Sequence, residues 1–174
     1  MLRQVRWRIA VPYLLLIVAI MVGLTLYLSG LVRQTYIASL EEQLLAEADL
    51  LAEATGPAIA AQDTAVLDQQ ARHWAGKLQQ RVTLIGADGT VLGESLEDRT
   101  ELDNHLYRQE IQQALATGRG SSIRFSHTVG YDMLYVARRV AVGETAVGYV
   151  RLALSLEQVE AHVTSLRSAV LVAM

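Results

Sequence analysis

A long, predominantly apolar run occupies the N-terminal part of the chain, from Ile9 to Val32. Of these 24 residues, 19 are apolar and none is charged. At 1.5 Å per residue, a helix of this length extends about 36 Å, which exceeds the roughly 30 Å of hydrocarbon in a bilayer. The pattern predicts a transmembrane helix over residues 9–32. A cleaved signal peptide is the alternative, but its apolar region is normally only about 7–15 residues long.

A helical stripe continues directly beyond the apolar run. From Gln34 to Ala54, apolar residues recur at intervals of three and four, at Ile37, Leu40, Leu44, Ala48 and Leu51, which is the spacing of one helix face. Gly56-Pro57 predicts the end of this helix. Asp63 predicts the N-cap of a second helix that extends to about Gln79. Residues 33–80 are therefore expected to form membrane-proximal helices.

The apolar period changes from helix to strand at Arg81. The segment RVTLIGADGTVLGES predicts two strands joined by a turn at Asp88-Gly89. A charged loop from Leu96 to Asp103 precedes a helix predicted over Asn104–Thr117, and Gly118 suits the left-handed position that ends a helix. Three further strands are predicted at about Ser121–His127, Met133–Ala141 and Ala146–Leu154. Their short links imply antiparallel pairing.

These elements predict the fold class. Two strands, a helix and three more strands form an α+β domain over residues 81–155, with a PAS-like five-stranded antiparallel sheet and flanking helices. The N-terminal transmembrane helix and the long membrane-proximal helix precede this domain.

The C-terminal segment has its own pattern. Leu156, Val159, Val163, Leu166 and Val170 repeat at heptad spacing, and Ser155 with Gln158 forms a capping box. The uncharged sequence SAVLVAM follows Arg167. We interpret residues 156–174 as a signalling helix that leads into a truncated second transmembrane helix, although a short amphipathic terminal helix is an alternative. Residues 34–167 are then expected to lie outside the cytoplasm.

Charge and composition exclude several function classes. Residues 1–33 contain Arg3, Arg6, Arg8 and Arg33 and no acid, so the positive-inside rule places residues 1–8 in the cytoplasm. Residues 34–174 carry a net charge of −7, which is unfavourable for binding nucleic acid. The absence of cysteine excludes disulfides and thiol chemistry. The four histidines lack metal-binding spacings, and the sequence has no GxSxG or P-loop motif, so we expect no metal and no catalytic residues.

Short segments along residues 81–151 form an ordered set that is more specific than any one of its members. The set comprises Val82-Thr83-Leu84-Ile85, Asp88-Gly89-Thr90-Val91, Glu94-Ser95, Asn104-His105, Arg108, Glu110-Ile111, Ala114-Leu115, Gly118, Arg124, Ser126, Thr128, Gly130, Met133-Leu134-Tyr135-Val136-Ala137 and Gly148-Tyr149-Val150-Arg151-Leu152. It resembles the extracytoplasmic PAS-like sensor domain of membrane sensor histidine kinases of the PhoR type.

The resemblance implies the sensor half of a two-component kinase in a bacterial inner membrane. ATP and Mg would belong only to a kinase part that is missing here, and a response regulator would be reached only through that cytoplasmic part. Expected partners are the membrane, an unknown small-molecule or protein signal, and a second copy bound through helices 34–54 and 156–170. The alternatives are a stand-alone membrane-anchored interaction module, or the sensor of a chemoreceptor or diguanylate cyclase.

Two groups of residues are candidates for function. The family-motif residues, which we expect to be structural, are Asp88, Gly89, Asn104, His105, Arg108, Glu110 and Gly118. Asn104 or Asp103 would cap the central helix, although that helix could instead form one wall of a ligand pocket.

The second group contains candidate ligand-binding residues on the last three strands. They are Arg124, His127, Tyr135, Arg138 and Arg151. An inward-facing guanidinium binds carboxylate or phosphate through two hydrogen bonds. Alternatively, such an arginine would pair with Glu94, Asp98 or Asp132. Because neighbouring strand residues point to opposite faces, Arg138 and Arg139 cannot both face inward.

Overall fold

The computed structural model describes residues 2–126 and 130–157. Its helices are α1 (Leu2–Ala61), α2 (Thr64–Leu78) and α3 (Gln109–Thr117), with a 3-10 turn at Arg99–Glu101. Its strands are β1 (Arg81–Gly86), β2 (Val91–Glu94), β3 (Arg119–Phe125), β4 (Asp132–Val142) and β5 (Thr145–Ser155). The chain forms two compact units. Of the described residues, one unit contains residues 2–38 and Glu157, and the other comprises Ser39–Leu156.

The five strands form one antiparallel sheet in the order β2-β1-β5-β4-β3. This confirms the predicted α+β fold with a five-stranded antiparallel sheet. The strand register places Thr83 opposite Arg151 and Arg151 opposite Ala137. Since paired residues share a face, we call the side of the sheet that contains Thr83, Ala137 and Arg151 the front face. The other side is the back face.

Helix α1 contains the long apolar run. An 18-residue window within its described part has a mean hydropathy of 2.5. By length and composition, this segment could cross a membrane. The second predicted membrane segment lies outside the described residues, as do Gln158 of the capping box and the heptad positions from Val159 onward.

The predicted break at Gly56-Pro57 is wrong, because α1 continues to Ala61. Proline in a helix interior lacks the amide donor that the helix requires. The burial of a side chain that follows the proline compensates for the lost hydrogen bond. Ile59 is only 1% exposed, and a methyl group added at Gly148 of β5 would lie 2.8 Å from Ile59 Cγ2. The packing of this last turn on the back face therefore outweighs the local signal.

Helix α2 has the boundaries that its caps predict. The Val66 amide donates to Asp63 Oδ1 at 3.2 Å, which confirms the predicted N-cap. At the other end, Gln79 adopts a left-handed conformation and its amide donates to the Ala75 carbonyl. Leu67 and Ala71 are fully buried. A methyl group at Gly93 would lie 2.6 Å from the Leu67 carbonyl oxygen, so β2 needs a glycine where α2 crosses it.

Candidate functional site

The segment before α3 is a turn, where the sequence predicts helix. Helix α3 begins at Gln109, and Arg108 occupies the N-cap position without a side-chain capping bond. The predictions of a helix start at Asn104 and of a cap from Asn104 or Asp103 are therefore wrong. Asn104 instead binds the β1–β2 turn. Its Nδ2 donates to the Asp88 carbonyl at 2.9 Å, and its Oδ1 accepts from the Leu106 amide at 2.8 Å.

Gly89 makes this contact possible. It has a φ of +85°, and a methyl group at this position would lie 2.6 Å from the Leu106 amide nitrogen. Only glycine tolerates both the left-handed backbone and the close approach. Asp88 closes the same turn by accepting from the Thr90 amide and hydroxyl. The Asp88-Gly89 and Asn104 motifs thus form one junction between the hairpin and the segment that leads into α3.

His105 is buried at this junction, with 4% of its surface exposed. Its amide donates to the Gly89 carbonyl at 2.8 Å. Its Nδ1 lies 2.7 Å from the Asp103 carbonyl oxygen, which can only accept, so Nδ1 carries the proton. Burial, with the charge of Arg151 as the next cause, lowers the pKa of His105 to about 4. The imidazole is therefore neutral at pH 7.

Glu110 lies in the first turn of α3 and is 0% exposed. It reaches the sheet because α3 packs very closely on β3. A methyl group at Gly120 would collide with the Glu110 carbonyl oxygen and lie 2.6 Å from Gln113 Cβ. The glycine at position 120 therefore sets the separation between α3 and the strand. Gly118, with a φ of +86°, ends α3 as predicted, and its amide donates to the Ala114 carbonyl.

Two arginines and a serine bind the Glu110 carboxylate. Oε1 accepts from Arg151 Nε at 2.8 Å and from Arg124 Nη2 at 3.0 Å. Oε2 accepts from Arg124 Nη1 and from Ser122 Oγ, each at 2.7 Å. Arg124 therefore binds both oxygens of the carboxylate, which is the strongest geometry available to this pair of groups.

Tyr135 lies between the two arginines along the sheet. It belongs to β4, while Arg124 and Arg151 come from the neighbouring strands β3 and β5. The two guanidinium carbons lie 4.0 and 4.2 Å from the centre of its ring, within the range of cation–π attraction. Burial by itself raises the pKa of Glu110. The Arg124 hydrogen bonds and the Arg151 charge outweigh burial and lower the pKa to about 2.

The hydrogen bonds continue across the front face to β1 and β2. Arg151 Nη1 lies 3.4 Å from Thr83 Oγ1, which donates to Glu94 Oε2 at 2.9 Å. Arg81 then pairs with Glu94 at 3.1 Å and with Glu97 at 2.9 Å. We call the connected set Arg81, Thr83, Glu94, Glu97, Glu110, Ser122, Arg124, Tyr135 and Arg151 the front-face network. The positive charges of its three arginines balance the negative charges of its three carboxylates, and each charged group has an oppositely charged partner.

The structure brings together three of the five predicted ligand-binding residues, Arg124, Tyr135 and Arg151. Arg138 lies on the back face, where it pairs with Asp49 of α1 and donates to the Gly118 carbonyl at 3.4 Å. Arg139 points to the opposite side and donates to the Leu115 carbonyl at 3.1 Å. His127 lies outside the described residues.

The partner of the inward arginines differs from the one that the sequence suggested. Arg124 and Arg151 pair with Glu110 and not with Glu94, Asp98 or Asp132. Thr83 and Ser122 also belong to the network, although the sequence did not single them out. The available signal was the period of two in β3, which places Ser122 on the face of Arg124.

Two other features bear on binding. A groove of about 370 Å³ lies between α1, α3 and β3, with Glu41 and Glu42 on one side and Arg119 on the other. It contains none of the predicted ligand-binding residues. Within residues 2–126 and 130–157, no three histidine or carboxylate side chains are grouped so that they could hold a metal ion.

The buried neutral His105 predicts a pH-dependent stability. Unfolding restores its ordinary pKa of 6.5, so the unfolded chain binds a proton more readily than the folded one. Stability is fully present above pH 6.5 and falls as the pH drops toward 4. Between pH 7 and 4.5, we expect a loss of about 2–3 kcal/mol from this residue.

Urea unfolding of the full chain in detergent measures this loss. His105→Asn retains an amide donor for the Asp103 carbonyl and removes the titration, so its stability should fall by about 2–3 kcal/mol less over this range. His73→Asn, at an exposed position of α2, is the control. Equal pH dependence in the wild type and His105→Asn would contradict the prediction.

Comparisons with known proteins agree with this architecture. The sensor domain of the V. cholerae histidine kinase DctB has a TM-score of 0.61 and 16% identity, with 74% of this chain and 54% of that chain covered. The ligand-binding domain of the C. jejuni chemoreceptor Tlp3, in complex with L-valine, has a TM-score of 0.61 and 12% identity, with coverage of 76% and 59%. The E. coli DcuS sensor domain has a TM-score of 0.55 and 15% identity, with coverage of 74% and 95%.

Identities this low show a common fold alone. The chain spans just over half of the length of the DctB and Tlp3 domains. No curated protein matches it in sequence. The model of a protein family described as Single Cache-like, however, matches residues 34–155. Because that match covers well over half of the chain, this protein belongs to the single Cache-like family.

Proposed function

We propose that the chain is the extracytoplasmic sensor region of a bacterial two-component sensor histidine kinase, anchored in the inner membrane. The observation that carries the proposal is the position of the Cache-like region, residues 34–155, directly after a 24-residue apolar run. The arginines at residues 3, 6 and 8 support a cytoplasmic N-terminus. The fold shared with the DctB and DcuS sensor domains supports a sensory role, since both are named as such.

The front-face network provides a route for signalling. It joins the first turn of α3 to β5 through the Glu110–Arg151 pair. Strand β5 ends at Ser155, and the next residue, Leu156, is fully buried and donates its amide to the Asp132 carbonyl at 2.9 Å. A signal that displaces α3 would therefore shift the strand that leads into the C-terminal segment. Such a signal must bind two arrangements of the domain with different affinity.

The proposal includes a kinase output and a relationship to PhoR-type kinases. ATP, Mg and a response regulator would be bound by a cytoplasmic part encoded after Met174. A chemoreceptor is a second candidate, because Tlp3 has the same fold.

Extending the DNA sequence beyond codon 174 separates the candidates. We expect a second membrane helix, a HAMP linker and a kinase module. A stop codon, or a chemoreceptor or cyclase output, would contradict the kinase assignment.

The extracytoplasmic location predicts a labelling pattern for introduced cysteines. The chain has no cysteine of its own, so all labelling of a single-cysteine variant comes from the introduced residue. Tyr107, before α3, is 85% exposed, and Tyr107→Cys should react with a membrane-impermeant maleimide in intact spheroplasts. Arg3→Cys should react only after lysis. Leu67→Cys, at a buried position of α2, is the control for folding, because its thiol should not react while the domain is folded. Labelling of Arg3→Cys but not of Tyr107→Cys in intact cells would reverse the proposed topology.

We further propose that the protein is a homodimer through helices 34–54 and 156–170. The second of these lies almost wholly outside the described residues. The first contains Leu50, which is 66% exposed although the adjacent Leu51 is buried. Leu50 therefore offers an exposed apolar position on this helix at which contact with a second copy can be tested.

Oxidative cross-linking in membranes tests the dimer. Leu50→Cys should give a band at twice the mass of the 19.1 kDa chain on a non-reducing gel. Tyr107→Cys, which is more exposed but distant in sequence from both helices, is the matched control. Equal cross-linking of the two variants would show random collision and contradict the interface.

A further inference from the structure

The carboxylate of Glu110 occupies the position where an anionic ligand would meet the two front-face arginines. Arg124 donates to both of its oxygens, and Arg151 donates to one of them. Ser122 contributes a fourth hydrogen bond. An inward-facing pair of arginines presents this same set of donors to the carboxylate of a small molecule.

We propose that Glu110 is a built-in carboxylate ligand of the Arg124–Tyr135–Arg151 cluster and that it excludes small carboxylates as the signal at this position. The inference rests on the proposed sensor function and makes Glu110 the residue that determines which ligands the site rejects. The geometry points to a signal that is not a small carboxylate bound at this cluster.

Exclusion follows from the cost of displacing Glu110. Its carboxylate is 0% exposed, and Arg151 is 4% exposed. A competing carboxylate would leave Glu110 buried and charged without its partners. Breaking a buried ion pair lowers the affinity of such a competitor by a factor on the order of 10² to 10⁴. Glu110 also competes from within the same chain, where its effective concentration is high.

Removal of the Glu110 side chain should convert this cluster into a site for added carboxylate. Glu110→Ala leaves space and two uncompensated guanidinium groups. We expect its melting temperature in detergent to lie below that of the wild type, and to rise with sodium acetate or propionate relative to sodium chloride at equal ionic strength. At ten times the dissociation constant, the rise should be about 3–6 °C. The wild-type chain should show no carboxylate-specific rise.

Three variants provide the controls. Glu110→Gln removes the charge but retains the side-chain volume, so acetate should not raise its melting temperature. Glu97→Ala removes a partly exposed carboxylate from Arg81, and we expect no carboxylate-specific rise there either. Arg124→Gln combined with Glu110→Ala should abolish the rescue, because the bidentate donor is lost.

Two results would overturn the proposal. One is a folded Glu110→Ala protein that no carboxylate stabilises. The other is a saturable, carboxylate-specific rise in the melting temperature of the wild type that Arg124→Gln abolishes. This second measurement tests the proposal even if Glu110→Ala does not fold. Neither result depends on a kinase output. A failure here is therefore distinct from a failure of the proposed sensor function, which the sequence beyond codon 174 would reveal.

Discussion

The buried carboxylate of Glu110 is the constraint on which the front half of the domain depends. A charge with no exposed surface must be bound by opposite charges and hydrogen bonds, and its partners come from β3 and β5. To bring Glu110 to these strands, α3 must lie almost in contact with β3, which requires a glycine at position 120. The position of one carboxylate thus fixes the separation between a helix and two strands, β3 and β5.

The parts of this structure that the sequence predicts correctly are those with local causes. The Asp88-Gly89 turn, the Asp63 cap and the left-handed Gly118 each depend on residues a few positions apart. The strands follow from a period of two, and their short links predict the antiparallel sheet. The partners of Glu110 are different, because Arg124 and Arg151 lie 14 and 41 residues away along the chain. No local pattern distinguishes Glu110 from Glu94 or Asp98 as the partner of an inward arginine.

Two errors in the boundaries share one physical origin. Gly56-Pro57 is a strong local signal for the end of a helix, yet the burial of Ile59 against the sheet maintains the helix for another turn. Asn104 is a good N-cap residue, yet its side chain donates to the Asp88 carbonyl of the β1–β2 turn and accepts from the Leu106 amide, and the helix begins five residues later. In both cases a tertiary contact is worth more than the local preference, which is typically about 1 kcal/mol for a cap.

A buried ion pair is weak evidence for stability, because desolvation offsets much of its attraction. We therefore infer that the front-face network serves the arrangement of the domain more than its stability. An apolar cluster can adjust by small sliding motions, whereas a bidentate arginine–carboxylate pair is either formed or broken. The Glu110–Arg151 pair connects α3 to β5 through a contact that is either formed or broken. A sensor needs two distinct arrangements for a signal to choose between, and the pair provides the point at which those arrangements would differ.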